Sequence, residues 1–499
     1  MSTPLNSQSP VRHHPSSRRR HLWFRRRAEA ISPLRTPEYK ALLFRVADRG
    51  SCALFYLVVA LVPLPLGSIE PAMVAIWCVV LGAIVIVASV LEIRTPQLVF
   101  IGLAAVLALM YALVLHEQLS VHPWFASPHP IWKETAELLQ IPIEPSVSIA
   151  RNQPLFAIGA PLAALLSFLS GLLAGANRGR AHQLLGVIAW SGVAYAIYGI
   201  AFAFVDPATG TFRASPIPLT STLVNRNTAA VYFGACSAIW LLLVCEQIRQ
   251  HVLDERSNRD LTLINDRPLW LVQFILLLTM MVVCLLATFM TGSRAGVSVS
   301  LLGFVVAVVG FFYRDLVGRR VVIVALGSGC GLALLTLYFL AGNVVTRFYK
   351  DGLIDHTRLS LYRSTLRMIA DHPWFGTGLG TFASAFPAYR SDEISMYGIY
   401  DRAHSTLLEL AAEAGSPLAS IVVIGWMIAF GVLAHGVRTR RRDRILPAAA
   451  LSVGLLAALH SLVDFSLQIP GFAIVVFGLL GAGIAQSLLR SDTYARSKG

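Results

Sequence analysis

Two arginines, one histidine and an acid–base pair are the residues here whose types and spacing could do chemistry. Arg226 stands in Asn225-Arg226-Asn227, and Arg294 closes Thr291-Gly292-Ser293-Arg294. Each lies at the edge of an apolar segment among small polar residues. Guanidinium forks match phosphate oxygens two at a time, and the N–H groups that open a helix add to the field. A snorkelling anchor or an interhelical staple would use the same residue type. Two such arginines on one side of a membrane favour a shared anionic ligand, and at an outer face a lipid-linked diphosphate is the anion expected.

His404 follows Arg402-Ala403 and precedes Ser405 and Thr406-Leu-Leu-Glu409, a capping-box pattern. A helix N-terminus and the nearby Arg402 both disfavour the imidazolium, so the ring is expected to be neutral, as a general base must be. An ordinary loop histidine would look the same in isolation. Glu409 and Glu413 read as solvated or helix-stabilising. His460 and Asp464 are four residues apart and can hydrogen-bond on one helix face. That pair is either structural, or Asp464 orients a ring or contacts sugar hydroxyls. Gly376, Gly378 and Gly380 do not follow a strand, so a nucleotide-binding fingerprint is not supported. The six cysteines all fall in apolar segments without metal-ligand spacing. No zinc site, disulfide framework or acidic metal cluster is expected, and no cofactor.

The elements that must hold these residues are membrane helices. The chain has 499 residues, 56% hydrophobic and 14% charged, with a mean hydropathy of +0.65. A soluble chain would carry roughly a quarter charged residues. Continuous apolar runs exclude an outer-membrane barrel, whose strands alternate in short segments. The fold class is therefore all-α polytopic, with about twelve spans of the length a bilayer requires. They include runs near 52–68, 321–341 and 446–463. The net charge of +14 sits in the N-terminal tail and alternate loops, the positive-inside pattern, rather than in a nucleic-acid patch. Both termini are then cytoplasmic.

Residues 1–50 read as a basic, disordered arm that could touch anionic lipid, with no signal-peptide cleavage pattern. Residues 51–341 would hold nine spans, 342–416 an outer loop, and 417–499 three spans and a tail. That loop is the longest polar interval in the chain. Within it Arg358–Ala370 has helical periodicity, with Leu359, Tyr362, Leu366 and Ile369 on one face and Arg358, Arg363 and Arg367 off it. This predicts a helix lying on the outer leaflet or on the bundle top. His-Pro-Trp-Phe occurs at 122–125 and 372–375, both on the outer side, where Trp anchors at the headgroup level.

In order, the motifs resemble the O-antigen ligase and polymerase superfamily of bacterial envelope proteins. They are Asn225-Arg226-Asn227, Thr291-Gly-Ser293-Arg294-Ala-Gly296, Arg358-Leu-Ser-Leu-Tyr362, Asp371-His-Pro-Trp-Phe-Gly-Thr-Gly-Leu-Gly380, Ala403-His404-Ser405 and His460-Ser-Leu-Val-Asp464-Phe465. The resemblance spans residues 180–485. It implies an inner-membrane enzyme that moves a glycan from undecaprenyl diphosphate to an acceptor hydroxyl at the periplasmic face, without a metal and with inversion. The acceptor would be lipid A core in a ligase, or a second lipid-linked repeat in a polymerase. Arg226 and Arg294 would hold the diphosphate, and His404 would be the base. Asn225, Asn227, Ser293, Arg358, Arg402, His460 and Asp464 would support them. Thr228 stands where many relatives have histidine and takes no role. The Asn-Arg-Asn and Val-Asp-Phe segments lean towards exopolysaccharide-type polymerases. A transporter or flippase for an envelope lipid or glycan is the rival; it predicts mid-span charges and an inverted repeat, neither of which the sequence shows.

Overall fold

The computed structural model describes residues 36–91, 93–206, 210–213, 217–257, 267–312, 356–440 and 443–489. Among them the fold is helical, with one isolated bridge between Val205 and Phe212. The chain divides into Met1–Gly50 and Ser51–Gly499, and every contact given below lies within the second unit. The longer helices are α1 Thr36–Leu61, α2 Pro71–Leu91, α3 Thr95–Leu119, α4 Gly159–Ala174, α5 Arg178–Phe204, α6 Arg226–Ser257, α7 Arg267–Met290 and α8 Arg294–Phe312. They continue as α9 His356–Asp371, α10 Thr406–Ala414, α11 Ser416–Thr439, α12 Ile445–Ser461 and α13 Pro470–Leu488.

Nine segments among the described residues are long and apolar enough to cross a membrane, so this is a multi-pass membrane protein. They coincide with nine of the spans expected. The run at 52–68 is not one of them: α1 stops at Leu61, and Pro63 and Pro65, which lack an N–H, precede a 3-10 turn over Leu66–Ser68. The run at 446–463 is the shorter apolar helix α12. The run at 321–341 lies outside the described residues.

Burial shows which spans form the centre. The apolar windows of α6 and α13 are 89% and 83% buried, whereas the other spans are 17–44% buried and face outward. Close approach explains the centre. A Cβ on Gly171 of α4 would meet the Gly478 carbonyl oxygen at 2.0 Å, and one on Gly175 would meet Cα of Ala482 at 2.5 Å. Small residues four apart let the two backbones touch, which is how apolar helices gain contact when lipid offers no hydrophobic drive. Likewise Gly296 of α8 packs on Ala230 of α6, and Gly234 of α6 on Ser300 of α8.

The segment between α8 and α11 has its own small core of Leu361, Met368, Phe382, Phe386, Ile394 and Ala412. Helix α9 joins it through a face other than the one expected. Leu361, Ser364, Thr365 and Met368 are buried, while Leu359 and Leu366 point outward. Packing on α10 selects that face, because Thr365 satisfies its hydroxyl on the Leu361 carbonyl (2.8 Å) and can be buried.

The glycine-rich turn wraps the end of α10. Gly376, Gly378 and Gly380 all have positive φ, and a Cβ on Gly376 would meet the Glu413 carbonyl carbon at 2.3 Å. The Thr377 N–H donates to the Ala412 carbonyl, and the Gly378 N–H to the Glu413 carbonyl, both at 3.0 Å. The Glu413 carboxylate accepts from the N–H groups of Gly380 (2.9 Å) and Phe382 (2.8 Å). Glu409 and Glu413 are both buried, so the expectation of solvated carboxylates fails. Gln118 near the end of α3 ties that helix to the glycine-rich turn and α10 by donating to the carbonyls of Phe375 (2.7 Å) and Glu413 (2.8 Å). Both His-Pro-Trp-Phe copies leave their tryptophans exposed, Trp124 at 68% and Trp374 at 71%.

Candidate functional site

The buried carboxylate of Asp464 is the point on which the motif residues converge. It sits in the turn between α12 and α13, where its N–H donates to the His460 carbonyl (2.9 Å) and the Phe465 N–H donates to its Oδ1 (2.8 Å). Asn227 donates its side-chain amide to Oδ2, and Arg358 Nη2 lies 3.5 Å from the same oxygen. Arg358 Nη1 also donates to the Val463 carbonyl (2.8 Å) and pins the turn to α9. Nδ1 of His404 faces Oδ1 at 3.7 Å, within ion-pair range and longer than a hydrogen bond. Burial pushes the Asp464 carboxyl up, but the neighbouring imidazoles of His404 and His460 and the Phe465 N–H outweigh it and hold the group below its ordinary value.

His404 is held from three sides. Its backbone is left-handed (φ 50°), a region that histidine tolerates better than most residues. The Tyr362 hydroxyl donates to its carbonyl at 2.9 Å, and its ring packs against Phe465 with centroids 5.3 Å apart. One residue before it, the Ala403 N–H donates to Glu409 Oε2 (2.7 Å). One residue after it, Ser405 caps α10 by accepting from the Leu408 N–H at 3.5 Å. The cap is thus Ser405 and not Thr406. Thr406 instead gives its N–H and hydroxyl to the Asp464 carbonyl, at 3.3 and 3.1 Å. The side chain remains a third exposed. It is a ring fixed at its backbone, facing a buried carboxylate, and open on its far side.

Arg402 does not face the ring as expected. Its Nη1 is bound by Glu409 Oε1 (3.1 Å) and Gln468 Oε1 (2.8 Å), and its guanidinium lies over Phe465. The charge that faces His404 is the carboxylate of Asp464. Burial, followed by the opposing pull of Arg402, leaves the Glu409 carboxyl raised. His460 and Asp464 also differ from expectation. The helix ends at Ser461, so the two do not share a helix face. The His460 ring is buried, its Nδ1 meets the Ser466 hydroxyl at 2.9 Å, and Ser466 in turn lies 3.3 Å from the Thr228 hydroxyl. The His460 side chain braces the turn.

The two arginines open two adjacent helices. Asn225 Oδ1 accepts from the N–H groups of Asn227 (2.7 Å) and Thr228 (3.1 Å), which starts α6 at Arg226. Ser293 Oγ accepts from the Gly296 N–H (3.2 Å), which starts α8 at Arg294. Gly296 packs on Ala230, so these first turns lie side by side, and Arg226 and Arg294 are each half-buried there. Asn227 carries the connection onward to Asp464. Tyr362, Glu409, Ser466 and Gln468 complete the frame; the sequence motifs contain Tyr362 and Glu409, but none of the four had a role at the site by sequence alone. Among the described residues no cluster of three His, Cys, Asp or Glu side chains could hold a metal.

Residues 279–423 match a family model described as O-antigen ligase. The matched segment takes in Arg294, Arg358, the glycine-rich turn, His404 and α10, and leaves out Asn225–Asn227 and the Asp464 turn. No curated protein matches the chain.

Proposed function

We propose, from the match of residues 279–423 to a family model described as O-antigen ligase, that this membrane protein transfers a glycan from undecaprenyl diphosphate to an acceptor hydroxyl at the periplasmic face of a bacterial inner membrane. Both termini are then cytoplasmic. The observation that carries the reading is the Asp464 cluster. One carboxylate faces the half-open ring of His404 and binds Asn227, the neighbour of Arg226. Base and anion-binding arginine are thereby tied to one buried group.

His404 directs Nδ1 at Asp464 and keeps Nε2 as the lone pair facing outward. Nε2 takes the proton of the acceptor hydroxyl as its oxygen attacks the anomeric carbon of the donor sugar. The bond from that carbon to the diphosphate oxygen breaks on the opposite side, so configuration inverts. Arg226 and Arg294 neutralise the charge that develops on the departing diphosphate, the largest electrostatic demand of the step. Asp464 stabilises the imidazolium that forms, and the 3.7 Å separation shortens as that charge appears. Asn227 and Arg358 keep the carboxylate aimed, and Tyr362 and Glu409 keep the His404 backbone in place.

The acceptor is another lipid-linked repeat, which makes the protein a surface-polysaccharide polymerase; the Asn-Arg-Asn and Val-Asp-Phe segments favour this over a ligase. The test is the purified protein in vesicles with a lipid-diphosphate oligosaccharide. Longer lipid-linked chains are expected. Transfer only after lipid A core is added would make it a ligase, and no transfer under either condition would overturn the reading.

A further inference from the structure

A groove of about 550 Å³ opens beside the start of α6, between the outer end of α5, the Leu64–Leu66 turn and the 3-10 turn over Ser221–Leu223. That volume is in the usual range of ligand pockets, roughly 300–1,000 Å³. Its wall is apolar and aromatic: Leu66, Tyr198, Phe202 and Val224, with the Tyr198 and Phe202 rings stacked 6.1 Å apart. Leu66, Tyr198 and Val224 are each more than half exposed, so the wall opens outward at the side of the bundle. Three residues on the wall, Leu66, Ser221 and Val224, have positive φ (51°, 52° and 61°). Val224 is β-branched, and such a residue holds this conformation only where its surroundings impose it.

The floor carries the second observation. Thr222 is over nine-tenths buried, lines the groove, and its hydroxyl has no hydrogen-bond partner. Buried hydroxyls are normally satisfied, so this one points to a polar group that a ligand supplies. Val224 lies two residues before Arg226. The groove therefore has an apolar length and one unsatisfied hydroxyl, and its wall residue Val224 stands two positions along the chain from the arginine that opens α6.

We infer that this groove seats the first isoprene units of the lipid-diphosphate substrate, with the hydrocarbon along Tyr198 and Phe202 and the proximal phosphate towards Thr222 and Arg226. A single branched chain with an anionic end matches both the narrow apolar wall and the polar floor. The inference rests on the proposed donor.

The test uses full-length protein in phosphatidylethanolamine–phosphatidylglycerol nanodiscs. The probe is a glycan-free polyprenyl diphosphate with a photoreactive group in its first isoprene units. Labelling is expected within residues 194–202 and 219–224, competed by unlabelled polyprenyl diphosphate and not by phosphatidic acid. Ala194→Phe, which fills the groove, is expected to reduce it on the order of ten-fold. The nearly isosteric Thr222→Val keeps the packing and should weaken competition about three-fold. His404→Ala should still be labelled. Labelling elsewhere in a protein that still transfers glycan would overturn the groove and leave the donor intact. Equal competition by phosphatidic acid would make it an ordinary lipid seat. Absence of competable labelling together with absence of transfer would remove both.

Discussion

Asp464 and Glu413 are both buried carboxylates where the segment between α8 and α11 meets the helix bundle, and their surroundings are opposite. Both oxygens of Glu413 are taken by main-chain N–H groups of the glycine-rich turn, and the end of α10 closes over them. Burial, and then the neighbouring charge of Glu409, raise its carboxyl well above the ordinary value. Asp464 is as deeply buried, yet its partners hold it below the ordinary value, and one of them is a titratable ring with an open side. Burial alone does not mark a functional acid. What distinguishes the two is the partner: backbone amides lock a turn, whereas an imidazole has a second nitrogen to offer a substrate.

That contrast can be broken at both ends. His404→Ala should lower glycan transfer on the order of 10²–10⁴-fold with the unfolding temperature kept, because the base is lost and the frame is not. Asp464→Asn should follow at about 10²-fold, since the amide cannot compensate an imidazolium; lipid-linked chain length read on gels gives both values. Arg226→Lys should cost about ten-fold in transfer, because an ammonium lacks the fork that grips two phosphate oxygens. Wild-type rates there would reduce Arg226 to an anchor.

Glu413→Gln should do the reverse, leaving transfer per folded molecule unchanged while stability drops by about 1–3 kcal/mol as one N–H loses its acceptor. The sign with pH follows from a raised carboxyl: the folded state holds the proton more tightly, so stability is greatest below the ordinary value and falls as pH rises through the raised one. The Gln variant should flatten that slope in thermal unfolding. Loss of transfer with stability intact would put Glu413 in the chemistry and end the contrast.

The smallest effect concerns His129 and His372, stacked 4.8 Å apart between the segment after α3 and the segment after α9. Burial lowers both, with the charge of His372 adding at His129 and Asp371 opposing at His372. The neutral pair is favoured, so its contribution is present above the ordinary histidine value of 6.5 and is lost as pH falls below it. The protection of the Ile149 N–H against hydrogen exchange, relative to an unstructured amide at the same pH, should fall on acidification; that N–H donates to the Thr377 carbonyl.

Much of this was legible in the chain. Apolar length and the charge of the loops gave the membrane class, because hydrocarbon thickness and backbone satisfaction leave helices few alternatives. Arg226, Arg294, His404 and Asp464 announced themselves by type and by small polar neighbours. Local pattern failed where several elements shared a surface. Leu359 and Leu366 are as apolar as Leu361 and Met368, so only the partner, α10, decided which face of α9 is buried. Thr406-Leu-Leu-Glu409 fits a capping box, but Glu409 is drawn instead to Arg402 and Ala403.

The sequence by itself determined that this is a helical membrane protein with arginines and a histidine at polar breaks between spans, since periodicity and residue chemistry are properties of neighbours along the chain. The tertiary structure alone decided that Asp464 joins His404, Asn227 and Arg358, residues separated by up to 237 positions, and that Glu413 does not take part. Such pairings depend on which helix ends meet in space, and no local pattern encodes that.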